Sequence, residues 1–295
     1  MTSEAPIAHA AATSPGTGPG RTAPDAATVA GASAGDPPVA LITGATSGIG
    51  LAFARELAGD GYELVLVART EQRLLETAEA LVEEFDITAR VLPADLATES
   101  GIAAVTDLID NERVDVVVNN AGYGLRTSAL RTQPDELVAL DRILNSAVQV
   151  ISWHAAHRMI ERGRGGILNV ASMAGLTTMG AYAAAKSAAM VFTESLASEL
   201  AGTGVTATAV LPGFARTEFH DRMSVDMSRW PRIAWVSAEA VAREGIRDGR
   251  AGRIVSVAGA QYKLAYVVAQ LTPRPVIRVL SNGFRRTRKA RRSRA

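Results

Sequence analysis

Short runs of apolar residues alternate with longer segments of helical composition along most of the chain. Seven such runs have the length of a strand and are rich in β-branched residues or leucine: residues 39–43, 63–68, 89–93, 114–119, 166–171, 205–211 and 253–257. Continuous apolar character is typical of strands that are buried on both faces. The segments between them, such as 71–85 and 183–200, have helix composition. The pattern predicts an α/β fold, a single doubly wound domain with a seven-stranded parallel sheet.

The two ends of the chain differ from this alternating region. Residues 1–38 are rich in Ala, Gly, Pro, Ser and Thr without a period, which predicts a disordered extension. Neither a signal peptide nor a membrane span is expected, since no apolar stretch is long enough. We expect the catalytic domain at 39–260, a C-terminal extension at 261–283 and a disordered basic tail at 284–295.

Charge and composition exclude several kinds of functional site. From Arg274 to Ala295 there are nine Lys/Arg and no acid, which leaves 31 − 9 = 22 basic against 30 acidic residues elsewhere. The chain has no cysteine, which excludes disulfides, thiolate zinc sites and cysteine nucleophiles. Its four histidines are interpreted as surface or packing residues, so no metal site is predicted.

A glycine-rich turn follows the first apolar run. Glycines in such a turn let backbone N–H groups approach a pyrophosphate, and the N-terminus of the next helix favours its negative charge. Any tight strand-to-helix turn can use glycine, so the position on the first strand is what indicates a dinucleotide. The turn comprises Thr43, Gly44, Ala45, Thr46, Ser47, Gly48, Ile49 and Gly50.

The second apolar run ends at Arg69, with no acid at its tip. Dinucleotide folds place the residue that contacts the adenosine ribose at this strand end. An acid there binds the 2′-hydroxyl of NAD, whereas an arginine can hold a 2′-phosphate through two parallel hydrogen bonds. The sequence therefore predicts NADP(H), with an ordinary solvated arginine as the alternative.

Tyr182 and Lys186 are four positions apart, so on a helix they share a face. An ammonium near the phenol favours phenolate and lowers the tyrosine pKa from about 10, which suits acid–base chemistry near neutral pH. Ser172 ends a strand ten positions earlier, where its hydroxyl can bind a carbonyl oxygen. Asn145 lies in the apolar helical segment 137–159, where helix packing is the alternative interpretation.

Jointly these motifs resemble the classical short-chain dehydrogenase/reductases, a Rossmann-like family, over residues 39–259. The resemblance implies Tyr182 as general acid or base, Lys186 on the nicotinamide ribose, Ser172 on the substrate oxygen and Asn145 on a relay water. It also implies contacts with the cofactor or its surroundings. These are assigned to Thr43, Gly44, Thr46, Ser47, Gly48, Ile49, Gly50, Arg69, Asp95, Leu96, Asn119, Ala121, Gly122, Tyr182, Lys186, Pro212, Gly213 and Thr217.

The resemblance extends to the substrate side and to assembly. Segment 218–236 matches the family's mobile lid, and the NADP-preferring branch that it resembles reduces ketosteroids and long-chain 3-ketoacyl compounds. The apolar residues of this segment suggest an apolar carbonyl or alcohol substrate, and packing of the lid is an equally good explanation. They are Phe219, Met223, Met227, Trp230 and Trp235. Helices at 137–160 and 183–200 imply a homodimer or homotetramer. The loop at 175–180 is shorter than the family's, which affects the expected position of Ser172.

Other functions fit parts of the pattern. A non-catalytic NADP-binding module would lose catalytic residues, yet all four are present. Extended relatives that act as epimerases or dehydratases carry a different glycine turn and a larger C-terminal domain. We expect a cytoplasmic enzyme without a specific nucleic-acid partner. The basic tail is either solvated or in peripheral contact with an anionic membrane.

Overall fold

The computed structural model describes residues 27–29, 37–125, 127–215 and 235–281. Four predictions fall wholly or largely outside these ranges: the extension at 1–38, the contact at Thr217, the lid at 218–236 and the basic tail at 284–295. The strands are β1 (Ala27–Val29), β2 (Val39–Thr43), β3 (Glu63–Ala68), β4 (Ala89–Pro93), β5 (Val116–Asn119), β6 (Gly165–Val170), β7 (Val205–Val210), β8 (Phe214–Ala215), β9 (Trp235–Val236) and β10 (Val255–Ser256).

Helices connect these strands and cover both faces of the sheet. They are α1 (Gly48–Gly59), α2 (Glu71–Phe85), α3 (Glu99–Asn111), α4 (Pro134–Asp141), α5 (Ala147–Arg162), α6 (Ala181–Glu199), α7 (Ala238–Arg250) and α8 (Ala260–Leu271). Residues 274–281 are also helical. A π-helical turn at Arg142–Ser146 joins α4 to α5 without a break, so the predicted helical segment is one long helix.

The main sheet has the order β1-β4-β3-β2-β5-β6-β7-β10. All strands of this sheet except β1 are parallel to one another. These seven strands confirm the predicted α/β fold and its seven-stranded parallel sheet. The chain moves outward from β2 to β4 and then returns to β5 on the other side of β2. The crevice between the carboxyl ends of β2 and β5 is thus the switch point at which such folds bind ligands.

Strand β1 lies in the segment 1–38, whose disorder stays a prediction. It pairs antiparallel with β4, with Ala27 opposite Val91. The exposed edge of β4 accounts for the pairing, because its free backbone groups can bind any short extended segment. Three residues are too few to produce a recognisable period.

The core lies in layers on the two faces of the sheet. On one face, Phe53 of α1 is fully buried among side chains from α2, α7 and the strands. On the other, Ile151 of α5 packs with side chains of α3, α6 and the strands. A smaller cluster around Leu211 and Val257 lies beneath Tyr262 and Tyr266 of α8. The helices thus cover the strands without filling the crevice at their carboxyl ends.

Four buried polar side chains form one hydrogen-bonded cluster in this core. The Nδ2 of Asn119 donates to the Ser152 Oγ (3.1 Å) and to the Asn169 Oδ1 (2.9 Å). The Nδ2 of Asn169 in turn donates to the Thr193 Oγ1 (2.9 Å). This buried amide cluster links β5 and β6 to α5 and α6. Buried polar groups are costly unless paired, so the cluster specifies how these four elements pack.

Replacement of Asn169 tests this packing. Asn169→Ala leaves an amide and a hydroxyl short of partners, so we expect the free energy of unfolding to fall by about 2–4 kcal/mol in urea titrations. Ser195→Ala is the matched control, since the Ser195 hydroxyl bonds only to Glu199 on the surface of the same helix. It should change stability by less than about 0.5 kcal/mol. Equal stability of both variants would contradict a structural role of the cluster.

Candidate active site

The glycine turn after β2 is bound to the end of β5 by hydrogen bonds through Thr43. Its buried Oγ1 accepts from the N–H groups of Asn120 (2.9 Å) and Ala121 (3.0 Å). The Asn120 Nδ2 donates back to the carbonyl oxygens of Thr43 (2.9 Å) and Gly44 (3.2 Å). These bonds hold both walls of the crevice in register. Ala121 thereby lies beside the turn, as predicted.

The turn has the geometry of a phosphate cradle. Gly44 and Gly48 have φ values of +66° and +57°, which side-chain-bearing residues rarely adopt. A Cβ on Gly50 would lie 2.1 Å from the Gly44 carbonyl oxygen, so the helix can start this close to the turn only with glycine. Ser47 is the N-cap of α1 but makes no capping hydrogen bond through its side chain. The turn and the helix N-terminus therefore fit a pyrophosphate. Thr46 is half-buried in the turn, and Ile49 packs on the core.

The adenosine end of the crevice gathers residues from three strand ends. Arg69 follows β3 and is exposed, while Asp95 follows β4 and accepts a hydrogen bond from the Ala97 N–H (3.0 Å). Leu96 is buried beside it. Tyr123, which sequence analysis missed, lies within electrostatic reach: burial raises its pKa, the Arg69 charge opposes this, and Asp95 adds to it. Its only sequence signal is its position directly after the polar turn at 119–122.

Two of the residues predicted in that polar turn serve packing. The Asn119 Nδ2 donates within the buried amide cluster, whereas its buried Oδ1 has no partner among the described residues, so the predicted cofactor contact stays a prediction. A Cβ on Gly122 would lie 2.4 Å from Leu144 Cδ2, next to the π-helical turn. The glycine therefore lets the turn approach the helix that carries Asn145.

Ser172 and Tyr182 meet in spite of the short stretch between them. Their side chains are hydrogen-bonded, and the Ser172 Oγ also accepts from the Ala174 N–H (3.1 Å). A Cβ on Gly175 would lie 3.0 Å from the backbone of Lys186 and Ser187. Because this glycine allows the loop to pack directly on the backbone of α6, ten positions suffice to bring the two hydroxyls together.

Lys186 follows Tyr182 by one turn of α6 and is only 4% exposed. Its Nζ donates to the Val170 carbonyl oxygen at the end of β6 (2.5 Å). Burial lowers the pKa of Lys186 to about 8. Burial also raises the pKa of Tyr182 to about 12, with the Ser172 hydrogen bond acting in the opposite direction. The expected lowering of the tyrosine pKa by Lys186 is thus contradicted: the ammonium is directed to a carbonyl, and desolvation dominates at the phenol.

Asn145 lies in the π-helical turn, a local geometry that often occurs at functional sites. Its side chain is half-buried rather than packed in the core. The Oδ1 accepts from the Gln149 Nε2 (2.8 Å), and the Nδ2 donates to the Asp141 Oδ1 (3.4 Å). All these partners belong to the same long helix. Among the hydrogen bonds of the described residues, none joins Asn145 to Lys186.

The floor of the nicotinamide side follows β7. The Pro212 carbonyl oxygen accepts from the Met173 N–H (3.1 Å), which connects it to the loop after Ser172. A Cβ on Gly213 would lie 2.1 Å from the ring of Tyr262, whose hydroxyl accepts from the Phe214 N–H (2.9 Å). Tyr262 therefore supports this turn, a role for which the sequence holds no local signal. Beyond it, β8 and β9 pair in parallel and bring together the two ends of segment 216–234.

Among the described residues, no group of three or more His, Cys, Asp or Glu side chains has metal-binding geometry. Within the same part of the chain, every helix is too short or too polar to cross a membrane.

Comparisons with known proteins agree with this arrangement. Residues 38–228 match the family model described as short chain dehydrogenase. A Streptomyces virginiae protein assigned as the ketoacyl reductase of the monensin polyketide synthase is 40% identical over 197 residues, 63% of this chain and 73% of that protein. Sulfoacetaldehyde reductase 2 of Chromohalobacter salexigens is 39% identical over 195 residues, 61% of this chain and 74% of the relative.

Solved structures extend the likeness to three dimensions. A short-chain dehydrogenase from Sphingobium yanoikuyae, solved in complex with NADPH, superposes with a TM-score of 0.72 and 28% identity, covering 79% of this chain and 94% of that one. The match to the family covers more than half of the chain, including the glycine turn, Ser172, Tyr182 and Lys186. The chain therefore belongs to the short-chain dehydrogenase family, whose members are oxidoreductases that use nicotinamide cofactors.

Proposed function

We propose that the protein is an NADP(H)-dependent oxidoreductase that interconverts a carbonyl and a secondary alcohol, with Tyr182 as the general acid or base. One observation carries the proposal: the Ser172 and Tyr182 side chains are hydrogen-bonded, and Lys186 is buried one helical turn along α6 from the phenol. The pair lies at the carboxyl edge of the sheet, near the phosphate cradle. NADP(H), when bound, supplies or accepts the hydride. The alternative of a non-catalytic module has no comparable support, because the pair and the lysine keep a catalytic arrangement.

The protein's own groups handle the proton and the orientation of the substrate. With a pKa of about 12, the Tyr182 phenol is protonated at neutral pH and can donate its proton to a carbonyl oxygen. The Ser172 hydroxyl binds the same oxygen and fixes its position. Lys186, with a pKa of about 8, is close enough to neutrality to exchange a proton with the relay. Asn145, exposed in part on the π-helical turn, holds the water that continues this relay.

The cofactor is held by three groups of residues. The turn at 43–50 binds the pyrophosphate, and the backbone at Ala121–Gly122 lines the ribose side. Asp95 and Leu96 border the adenine, and Arg69 binds the 2′-phosphate from its exposed position after β3. Lys186 and Tyr182 bind the nicotinamide ribose, with Pro212, Gly213 and Thr217 around the ring. Preference for NADP(H) is supported by Arg69 and by the NADPH-bound structure from Sphingobium yanoikuyae.

The substrate is an apolar ketone or alcohol of the kind that ketosteroid and 3-ketoacyl reductases handle. Apolar side chains on the loop after Ser172 support this, since Met173 and Leu176 pack beside the site and Met179 is 45% exposed. The ketoacyl reductase relative points in the same direction. The sulfoacetaldehyde reductase acts on a small charged aldehyde, so such compounds belong in any substrate screen.

We also propose a cytoplasmic homo-oligomer, dimer or tetramer, assembled through α5 and α6. Val150, Trp153 and Ile160 form an exposed apolar stripe on α5, and Val191 is exposed on α6. The Trp153 ring lies 4.0 Å from that of His157 on the same stripe, measured between centroids. An apolar stripe centred on an aromatic ring is typical of the core of a protein interface.

Tyr182→Phe tests the acid–base assignment. Removal of the phenolic proton should lower kcat for any carbonyl substrate by about 10²–10⁴-fold, since Ser172 can hydrogen-bond the oxygen but the phenol is the proposed proton donor. The measurement is NADPH oxidation at 340 nm over ketosteroids, 3-ketoacyl thioesters and small ketones or aldehydes. NADPH affinity should stay within about three-fold of the wild type, since nearly all of the cofactor contacts remain. Tyr266→Phe, on the surface helix α8, is the control, and full turnover by Tyr182→Phe would disprove the mechanism.

Arg69→Ala tests the choice of cofactor. Loss of two charge-assisted hydrogen bonds should weaken NADPH binding by about 10–100-fold and leave NADH within about two-fold. Titration of the intrinsic protein fluorescence with each cofactor measures both constants. Arg243→Ala serves as control, because Arg243 pairs with Glu56 on the surface outside the crevice. An equal loss for the two cofactors would overturn the NADP(H) assignment.

The buried Lys186 predicts how stability depends on pH. Its folded pKa of about 8 lies below the ordinary value of 10.5, so between these values the unfolded chain binds more protons than the folded one. The free energy of unfolding therefore rises with pH across this window, and the lysine opposes folding by up to about 3 kcal/mol below it. Urea titrations at pH 7 and pH 10 should show this rise for the wild type relative to Lys186→Met. A pH-independent difference between the two proteins would refute it.

A further inference from the structure

Helix α8 is apolar on two opposite faces. Tyr262, Tyr266 and Ala269 point inward and pack on the cluster around Leu211 and Val257. The outward face carries four large aliphatic side chains at positions i, i+3, i+4 and i+7, a stripe along the helix. A helix that is apolar all round is normally buried on both sides, so the outward stripe calls for a partner. It consists of Leu264, Val267, Val268 and Leu271, which are 52–80% exposed.

The helical residues 274–281 extend this stripe. Ile277 and Ser281 are buried against the domain. Val276, Val279 and Leu280 are 47–71% exposed on the other side. Together with the four residues of α8 they form what we call the C-terminal apolar surface. Seven neighbouring aliphatic side chains in water are more than scattered exposure explains.

This surface is attached to the substrate side of the active site. The Thr178 N–H donates to the Ser281 Oγ (3.3 Å). The Arg274 guanidinium donates to the Leu176 carbonyl oxygen (3.3 Å). Thr178, the donor in the first bond, and Leu176, the acceptor in the second, belong to the loop that connects Ser172 to Tyr182. Whatever binds the C-terminal apolar surface therefore lies next to the loop that borders the substrate.

The end of the chain is basic. From residue 249 onward there is no acid, against twelve Lys/Arg: five up to Arg278 and seven at 284–295. Three of these twelve form ion pairs with acids from other elements: Arg250 with Asp60, Arg253 with Asp248 and Lys263 with Glu244. Arg274 and Arg278 lie on the same short helix as Val276 and Val279 and are exposed. Apolar side chains next to a basic cluster combine the two attractions that hold a protein at an anionic membrane surface.

We propose that the C-terminal apolar surface docks onto an anionic lipid bilayer, with its aliphatic side chains at the headgroup boundary and Arg274 and Arg278 beside them. The seven basic residues at 284–295 add positive charge to the same end of the chain. A second copy of the chain is a poorer occupant, because a two-fold contact through this face would bring Arg274 and Arg278 of both copies together, and these would repel. The aliphatic composition, without aromatic or methionine side chains, also differs from the protein-interface stripe on α5.

Docking in this way turns the loop at 173–180 toward the lipid. Met179, exposed on that loop, then faces the membrane together with the C-terminal apolar surface. An apolar ketone dissolved in the bilayer reaches Ser172 and Tyr182 from this side without crossing water. This consequence rests on the proposed function, whereas the docking itself rests on the surface and its charge.

Vesicle sedimentation with the full-length protein tests the docking. We compare phosphatidylcholine vesicles with vesicles containing 30% phosphatidylglycerol, roughly the anionic content that gives a strong surface potential. The wild type should pellet with the anionic vesicles and stay in solution with the neutral ones. Leu264→Gln/Leu271→Gln and a deletion after Gly283 should each weaken binding by about ten-fold or more. Leu130→Gln, at an even more exposed leucine outside the surface, should bind like the wild type.

Three results would overturn the proposal. They are wild-type protein that stays in solution with anionic vesicles, a double glutamine variant that pellets like the wild type, and a deletion variant that pellets like the wild type. Light scattering identifies a second copy as the occupant if the double variant lowers the mass of the assembly without changing sedimentation. Tyr182→Phe should pellet normally, so failure of the catalytic proposal and failure of the docking proposal remain separate outcomes.

Discussion

The bond between the glycine turn and the end of β5 is the constraint on which the site depends. A single buried hydroxyl, the Thr43 Oγ1, accepts two backbone N–H groups that would otherwise be unpaired at a strand end. Loss of such a buried hydrogen bond destabilises the fold by more than its formation stabilises it, because the remaining polar groups stay buried without a partner. The Thr43 hydrogen bonds set the width of the crevice. The glycine turn on one wall and the polar turn on the other are therefore held together across the switch point.

Burial governs the chemistry of the two central groups in the same way. The surroundings disfavour the charged form of both, which raises the pKa of Tyr182 and lowers the pKa of Lys186. The two pKa values therefore move apart, which favours a neutral phenol and a lysine that loses its proton easily. In such an environment a charge that arrives nearby acts with little screening. The site thus responds strongly to the ionic state of whatever binds beside it.

Much of the fold follows from local patterns, because buried parallel strands must be apolar and helices between them must have one apolar face. The strand runs and the glycine turn are encoded in this direct way, and so is the Tyr182–Lys186 spacing. Features that arise from tertiary contacts are not. Strand β1 depends on the free edge of β4, and the approach of Ser172 to Tyr182 depends on Gly175 lying against α6. The direction of the Tyr182 pKa shift depends on where the Lys186 Nζ points, which spacing along a helix does not reveal.

The π-helical turn at Arg142–Ser146 has a consequence for how the family's chemistry can be lost. A π turn holds one residue more than regular α geometry accommodates in the same length. Deletion of one residue there would restore a continuous α-helix and keep both flanking helices in their places. The side chain of Asn145 would then leave its position, while the sheet, the phosphate cradle and the buried amide cluster stayed intact. A one-residue change in chain length would thus displace Asn145 alone among the proposed site residues.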